Sequence, residues 1–194
     1  MQVILDKIIE ESYAPAEYQY YLGLKNRRIV LNQDVDEEIV ERVILPLLEM
    51  DNDGTGKPIT LVINTCGGSL FDGMPLCDII DNMKTPLTIL VTGHAYSMGG
   101  FFLMAGYNNP NVTKKCYKHS TALLHGGSAY MEGSAAIVKD TFKFQERFEQ
   151  KLKDYTLSHS KITEEQYDRM ERYEWYLTSE DLVELGIVDE VLGA

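Results

Sequence analysis

In the first two thirds of the chain, short continuous runs of apolar residues alternate with segments in which apolar residues recur every three or four positions. Residues 59–63 and 87–91 form short runs of apolar and β-branched residues, which are typical of strands buried on both faces of a parallel sheet. After each run, apolar residues recur at every third or fourth position, the spacing of one helix face. The pattern predicts strands at 29–31, 59–63, 87–91, 112–117, 121–124 and 187–192, and helices at 39–48, 70–83, 98–105 and 178–185. Strands that alternate with helices indicate an α/β domain.

Local signals set the expected ends of these elements. The spacing Asp34-x-x-Glu37 resembles a capping box and predicts the start of a helix, in which Pro46 is expected to cause a kink or an early end. Residues 93–97 are expected to form a sharp turn between the strand at 87–91 and the helix at 98–105. Gly186 is expected to end the helix at 178–185 as its C-cap.

The composition changes after residue 125. Glycines at positions 126, 127 and 133 loosen the chain, and a long amphipathic helix follows, which is expected to project from the core. The phenylalanines of this helix are interpreted as packing or subunit contacts: Phe142, Phe144 and Phe148. Because the sequence contains no linker or low-complexity tract, we expect a single domain over residues 1–194.

The net charge and the cysteines exclude several kinds of binding partner and site. The chain of 194 residues has 18 Lys and Arg against 30 Asp and Glu, which gives a formal net charge of -12. Such a field repels phosphate backbones and anionic lipids, so nucleic acids and membrane surfaces are poor candidates. Cys66, Cys77 and Cys116 form no Cys-x-x-Cys pair, so neither a disulfide framework nor a metal site is expected. A reducing cytoplasm fits this composition.

Neither a secretory signal nor a membrane helix is expected. Residues 1–12 mix apolar residues with acids and lack the small-residue cleavage site of a signal peptide. The longer stretch between Lys84 and Lys114 contains no charged residue, but prolines and glycines break it into two short pieces. We therefore expect a buried strand, a turn and a buried helix in this region.

Ser97 lies in the stretch that is most informative about chemistry. A predicted strand leads into a turn with Ala95 two residues before the serine and Gly99 two residues after it, and a helix follows. This is the steric pattern of a nucleophile elbow. The same pattern also occurs wherever a helix packs closely on a strand, so Ser97 needs a chemical partner to be interpreted as a nucleophile.

His125 is the candidate base, because it follows an apolar strand and precedes two glycines that leave room for an extended ligand. A second glycine turn, with Gly67 and Gly68, also ends a strand, and its N–H groups are candidates for half of an oxyanion hole. The alternative interpretations are a structural core histidine and ordinary turn glycines.

Several short motifs occur in the order and at the spacing of a known family. They are Asn64-x-x-Gly67-Gly68-Ser69, Gly73-Met74, Ala95-x-Ser97-Met98-Gly99, Ala105-Gly106, His125, and the stretch from Leu177-Thr178-Ser179-Glu180 to Gly186-Ile187-Val188-Asp189-Glu190-Val191. Together they resemble the ClpP family, the self-compartmentalised Clp serine peptidases. The resemblance covers residues 18 to 191, apart from a short insertion near 108–112.

The resemblance implies a role for each matching position. Ser97 would be the nucleophile and His125 the general base, and the backbone N–H groups of Gly68 and Met98 would form the oxyanion hole. The alignment of Leu177 puts Glu174 where the family has its catalytic Asp, with Asp168 and Glu171 as alternatives. The strand that would pair with the substrate backbone is Gly126, Gly127 and Ser128.

The resemblance also implies a fold and an assembly. The fold would be a crotonase-like spiral of β-β-α units, with an N-terminal axial segment at 1–20 and a protruding handle at 126–158. The protein would form two stacked heptameric rings and cleave unfolded polypeptides inside their chamber in the cytoplasm. Peptide cleavage would need no metal and no cofactor, and ATP would enter only through an AAA+ unfoldase as partner.

Several positions depart from the family pattern. Cys66 replaces a proline in the glycine turn, which is expected to leave the oxyanion side less rigid, and Gly126-Gly127 replaces Gln-Pro, which is expected to alter cleavage preference. Thr60 and Val62 replace two aromatic residues on the face that receives the ATPase, so the sequence supports catalysis more directly than docking. The departures fit a divergent or phage-encoded member.

Three other functions remain open from the sequence. They are a catalytically weak or inactive ring subunit, a phage-type maturation protease that acts without an unfoldase, and an acyl-CoA enzyme of the crotonase-like fold. Ser97 together with His125 argues against the acyl-CoA enzyme, which needs no serine nucleophile.

Overall fold

The computed structural model describes residues 6–8, 14–127, 131–170 and 172–193. Parts of the predicted N-terminal axial segment, together with Ser128 and Glu171, lie outside the described residues. The elements in chain order are α1 (Pro15–Lys25), β1 (Arg28–Leu31), a π-helix (Val40–Ile44), α2 (Leu45–Asp51), β2 (Ile59–Thr65), α3 (Leu70–Asp81), β3 (Leu87–Tyr96), α4 (Met98–Met104), β4 (Val112–Tyr117), β5 (Thr121–Leu124), α5 (Ala135–Ser158), α6 (Glu164–Met170), β6 (Trp175–Leu177), α7 (Ser179–Glu184) and β7 (Glu190–Leu192).

The strands form one sheet that is almost entirely parallel. Its order is β1-β2-β3-β4-β7, and β5 adds to the end of β3 and pairs with β6 in antiparallel orientation. The buried residues of β2 alternate along the strand, with Ile59, Leu61 and Ile63 fully buried in the core. The expected α/β fold is therefore confirmed.

Strand β3 differs from its prediction, because it continues to Tyr96 through the expected turn at 93–97. Its first half pairs with β4, and its second half, from His94 to Tyr96, pairs with β5. Between these halves, Gly93 lets the Asn64 side chain approach the strand closely, since a Cβ atom there would lie 2.3 Å from Asn64 Oδ1. The predicted turn is wrong because a tertiary strand partner extends the strand, and only Ser97 separates β3 from α4.

The helix predicted from Asp34-x-x-Glu37 also begins later than expected. Val35 instead forms a bridge with Gly68, and the regular turns begin with the π-helix at Val40. Pro46 follows the π-helix within a continuous helical segment, since Ile44 and Leu45 both have helical backbone angles. Proline lacks the N–H that would bond to the carbonyl four residues earlier and crowds that carbonyl, which fits the change from α to π geometry directly before it. The expected early end does not occur, because α2 continues to Asp51.

The long helix α5 is fixed to the core at one end. Its N-cap, Ser134, accepts the N–H of Ile137, and its buried residues are Leu152 and Thr156, both near its carboxyl end. There Tyr155 Oη donates a hydrogen bond of 2.9 Å to Asp81 Oδ2. The amino-terminal part of α5 is mostly exposed, as expected for a projecting helix.

Among the helices of the described ranges, none is both long enough and apolar enough to span a bilayer.

Candidate active site

Ser97 occupies a strained turn between β3 and α4. Its φ is +53° and its ψ is -116°, a conformation that side-chain-bearing residues rarely adopt. The Ser97 N–H donates to the carbonyl of Leu123 at 2.8 Å, and the N–H of Gly100 donates to the carbonyl of Ser97 at 2.9 Å. These bonds fix the turn from both sides, so that the serine has the backbone of a nucleophile elbow.

Glycines in α4 allow the helix to pack closely behind this turn. A Cβ atom on Gly99 would lie 2.9 Å from Thr65 Cγ2, and one on Gly100 would lie 2.5 Å from Leu124 Cδ2. Both distances are too short for real Cβ contacts. The small residues around Ser97 therefore serve close helix packing, and this packing is compatible with a nucleophile elbow.

His125 lies beside Ser97 because β5 pairs with the second half of β3. The strand pairing joins Tyr96 to Leu123, so the residues that follow both strands are neighbours. His125 Nε2 lies 2.9 Å from Ser97 Oγ. This distance allows the imidazole to accept the serine proton when Nε2 is unprotonated.

The other histidines lie in different surroundings. His94 Nε2 is 3.4 Å from Cys66 Sγ, and His159 Nε2 is 3.4 Å from Asp81 Oδ2. His119 is exposed. Within the described residues, the structure brings only His125 into hydrogen-bonding distance of the Ser97 hydroxyl.

The glycine turn after β2 packs directly on the serine turn. A Cβ atom on Gly67 would lie 2.4 Å from the carbonyl oxygen of Tyr96 and 2.9 Å from the backbone nitrogen of Met98. Across the described part of the chain, the N–H groups of Gly68 and Met98 donate to no protein acceptor. Both groups are therefore available to an oxyanion at this site.

Glu174 directly precedes β6, and its carboxylate is held by a residue other than His125. The pairing of β5 with β6 ends with Leu124 opposite Trp175, and His125 and Glu174 are the next residues beyond this pair. Continued by one step, the same register would bring His125 opposite Glu174. Glu174 Oε2 accepts a hydrogen bond of 2.8 Å from Tyr176 Oη, and this bond, with the charge of the carboxylate, raises the pKa of Tyr176. No hydrogen bond joins Glu174 to His125 in the structure described here.

Asp168, one of the two alternative acids, is bonded to a residue of α5. Asp168 Oδ1 accepts a hydrogen bond of 2.7 Å from Lys153 Nζ on α5. This bond and that to Glu164 raise the pKa of Lys153 above its ordinary value. Asp168 thus belongs to an ion pair between α5 and α6.

Two cavities meet at the serine and histidine side chains. One has a volume of about 420 Å³ and extends toward Phe71, Phe144 and Phe148. The other has a volume of about 290 Å³ and extends toward Phe101 and residues of α5 and α6. Gly127 lines both cavities, and Gly126 lines the smaller one. The glycines expected to contact substrate therefore lie beside the site.

The aromatic wall of the larger cavity does not follow from the sequence. The sequence predicts only packing or subunit contacts for Phe144 and Phe148, and it gives no signal for Phe71. Their helical spacing identifies one face of α5, but it does not reveal which element that face meets. Only the tertiary structure brings Phe71 of α3 to within 4.8 Å of Phe148, measured between ring centroids.

Across the described residues, no group of three or more His, Cys, Asp and Glu side chains could hold a metal ion.

Comparison with known proteins agrees with these motifs. The family model described as Clp protease matches residues 13–194. ATP-dependent Clp protease proteolytic subunit 1 of Prochlorococcus marinus (strain NATL2A) is 30% identical over 192 residues, which are 96% of this chain and 94% of that protein. Subunit 1 of Prochlorococcus marinus (strain MIT 9312) is 30% identical over 173 residues, 87% of this chain and 85% of that protein. The proteolytic subunit of Deinococcus radiodurans is 25% identical over 193 residues, 99% of this chain and 93% of that protein. Since the family model spans nearly the whole chain, the chain belongs to the Clp protease family.

Proposed function

We propose that this protein is a serine endopeptidase that cleaves unfolded polypeptides through an acyl-enzyme intermediate. The observation that carries the proposal is the distance of 2.9 Å between His125 Nε2 and Ser97 Oγ, at a strained turn beside two free N–H groups. Membership of the Clp protease family supports a peptidase independently of this geometry.

The proposed reaction begins with attack by Ser97. Its Oγ adds to the scissile carbonyl while His125 Nε2 takes the hydroxyl proton, and the N–H groups of Gly68 and Met98 stabilise the oxyanion. His125 then returns the proton to the leaving amine, which leaves an ester on Ser97. A water molecule, deprotonated by His125, hydrolyses this ester and restores the free serine.

Glu174 is the proposed third member of the triad. The register of β5 and β6 supports this role, because directly opposite residues of an antiparallel pair have neighbouring side chains. Its carboxylate would hold the imidazole through Nδ1 and stabilise the imidazolium ion. For this role, one carboxylate oxygen of Glu174 must point toward His125. The hydrogen bond from Tyr176 Oη to Glu174 can either persist on the other oxygen or break.

The proposed setting is a ring assembly. The family implies a ring oligomer, and we propose two stacked heptameric rings in the cytoplasm that admit unfolded chains. Relatives named ATP-dependent Clp protease subunits support an AAA+ unfoldase as partner, which alone would use ATP. Peptide cleavage itself is proposed to need no cofactor and no metal.

A fluorophosphonate probe tests the activated serine. We expect intact mass spectrometry to show one adduct on the native chain, none on Ser97→Ala, and a strongly slowed reaction on His125→Ala. His119→Ala is the matched control, since this histidine is exposed and lines neither cavity at Ser97. The labelling rate of this variant should equal that of the native chain.

The competing function is a catalytically inactive ring subunit. The hydrogen bond between Glu174 and Tyr176 favours it, because the carboxylate is then engaged away from the imidazole. If a folded and assembled native sample gives no adduct, the endopeptidase proposal is wrong and the inactive subunit becomes the better explanation.

A further inference from the structure

Two residues on one side of the sheet can donate a hydrogen bond to Glu174. The first is Tyr176 of β6, whose Oη donates to Glu174 Oε2 at 2.8 Å. The second is His125, which the register of β5 and β6, continued by one step, would bring opposite Glu174. Because directly opposite residues of an antiparallel pair have neighbouring side chains, the phenol and the imidazole compete for the same carboxylate.

The structure holds this carboxylate in the orientation that satisfies the phenol. His125 uses its Nε2 for the contact with Ser97 Oγ, and none of the described residues forms a hydrogen bond with its Nδ1. Nδ1 is the atom through which a triad acid orients its histidine. The carboxylate of Glu174 is thus bonded to Tyr176, while the imidazole is left without the group that would fix it.

A second aromatic ring supports the phenol. Tyr96 of β3 and Tyr176 of β6 both pair with Leu123, which lies on the strand between them. The two ring centroids are 6.1 Å apart at an angle of 89°, the edge-to-face arrangement that aromatic pairs prefer. Tyr96 Oη lies 3.1 Å from Thr121 Oγ1, so the supporting ring has a partner of its own. The donor to Glu174 therefore belongs to a ring that is packed against the sheet.

The hydrogen bond between Tyr176 and Glu174 is nevertheless easy to break. Tyr176 is 60% exposed and Glu174 is exposed as well, so water can replace either partner. A hydrogen bond that exchanges with water contributes little net free energy. The bond and the charge of Glu174 raise the pKa of Tyr176, so the phenol keeps its proton and remains a donor at neutral pH.

We propose that Tyr176 is a positioning residue that withholds Glu174 from His125 and thereby slows acylation of the serine. This inference rests on the proposed peptidase function. Without the phenol hydroxyl, Glu174 would turn toward Nδ1 of His125, orient the imidazole and stabilise its protonated form. Tyr176 would therefore have an inhibitory role that depends on one exposed hydroxyl group.

The variant Tyr176→Phe removes the hydroxyl and keeps the ring beside Tyr96. We expect it to react with the fluorophosphonate about two- to tenfold faster than the native chain, the shift in population that one exposed hydrogen bond supports. Peptide cleavage should show a similar increase in kcat with little change in KM, because the inhibitory role concerns the triad and not the binding of substrate.

A double-mutant cycle tests whether the gain acts through Glu174. Glu174→Gln alone should react slowly with the probe. Adding Tyr176→Phe to Glu174→Gln should give no further gain, because no carboxylate is left to release. An effect of the lost hydroxyl on packing alone would instead change the rate equally in both backgrounds.

Tyr173→Phe is the matched control. Tyr173 directly precedes Glu174 and is 70% exposed, but it lines neither cavity at Ser97, and the hydroxyl that bonds Glu174 is that of Tyr176. The labelling rate and kcat of this variant should equal those of the native chain. Sedimentation of every variant checks that a change in rate is not a change in assembly.

The outcomes separate this inference from the proposed function. If the native chain reacts and Tyr176→Phe reacts at the same rate or more slowly, the inhibitory role is wrong, and a slower reaction would mean that the phenol orients Glu174 for catalysis. The role is also wrong if Tyr176→Phe gains as much in the Glu174→Gln background. If only Tyr176→Phe reacts, the inhibitory role is supported and the endopeptidase proposal for the native chain fails. If neither chain reacts, both proposals fail.

Discussion

Replacing Gly67 by alanine should damage the proposed oxyanion hole more than it damages the fold. Gly67 has a φ of +91°, which an alanine adopts only with strain. Its new Cβ atom would lie 2.4 Å from the carbonyl oxygen of Tyr96, and real Cβ atoms keep at least 3.0 Å from such an atom. Since the obstacle is backbone and no flexible side chain, the glycine turn and the serine turn must separate by about 0.6 Å.

Two costs follow from this separation. The backbone conformation costs about 1–2 kcal/mol of stability for a residue with a Cβ atom, and the steric overlap adds about 1–3 kcal/mol. The N–H of Gly68 moves with the turn, away from the N–H of Met98. Loss of one oxyanion donor lowers kcat by about 10²–10³.

The variant Gly56→Ala is a control that carries the cost of the backbone conformation without the steric overlap. Gly56 has a φ of +62°, but nothing lies within 4 Å of a Cβ atom at that position. We expect this control to lose about 1–2 kcal/mol in urea unfolding and to keep native peptide cleavage and fluorophosphonate labelling. If Gly67→Ala cleaves peptides within about twofold of the control, the assignment of this turn to the oxyanion hole is refuted.

Three further predictions concern groups with defined partners. Glu174→Gln should lower kcat for peptide cleavage by about 10⁴, as the corresponding amide does for a triad Asp. Asp168→Asn, which loses an ion pair between helices, should leave kcat unchanged. Tyr155→Phe leaves Asp81 Oδ2 without the Tyr155 hydroxyl and should lower the free energy of unfolding by about 1–2 kcal/mol in urea. Burial lowers the pKa of Lys114, so the unfolded chain binds more protons than the folded chain between the lowered pKa and the ordinary value of about 10.4. The free energy of unfolding should therefore rise as pH increases toward about 10, and urea titrations of Lys114→Met should show a weaker rise.

The strands and helices that lie in the core were predictable because their own residues carry the signal. The run from Ile59 to Ile63 is apolar enough to indicate a buried strand, and α5 shows helical spacing with a serine cap. The proximity of His125 to Ser97 could be inferred in part, since both follow predicted strands. The distance between them depends on how β5 pairs with β3, which no local pattern encodes.

Features that depend on distant residues could not be predicted. Strand β3 passes through an expected turn because β5, more than 20 residues later, supplies a partner for its second half. The interaction of Glu174 with Tyr176 likewise needs side-chain geometry, because the spacing of two residues only puts both side chains on one face of the strand. The aromatic wall requires the contact between α3 and α5.

The glycine turn shows how tertiary contacts can replace a local restraint. Cys66 stands where the family has a proline, and the sequence alone predicts a less rigid turn. In the structure, the N–H of Val35 donates to the carbonyl of Gly67 at 2.8 Å, and the N–H of Ser69 donates to the carbonyl of Val35 at 2.7 Å. The N–H of Gly67 is held at 3.0 Å by Thr65 Oγ1.

These bonds hold the turn on both sides of Gly68 and leave the Gly68 N–H free. Proline restricts a turn by fixing φ at its own position, whereas the bonds to Val35 restrict the two residues that flank the proposed oxyanion donor. The donor is thus fixed by a residue that lies more than 30 positions earlier in the chain. Preorganisation of the proposed oxyanion hole therefore does not require the proline, and the absence of this proline does not argue against the proposed catalysis.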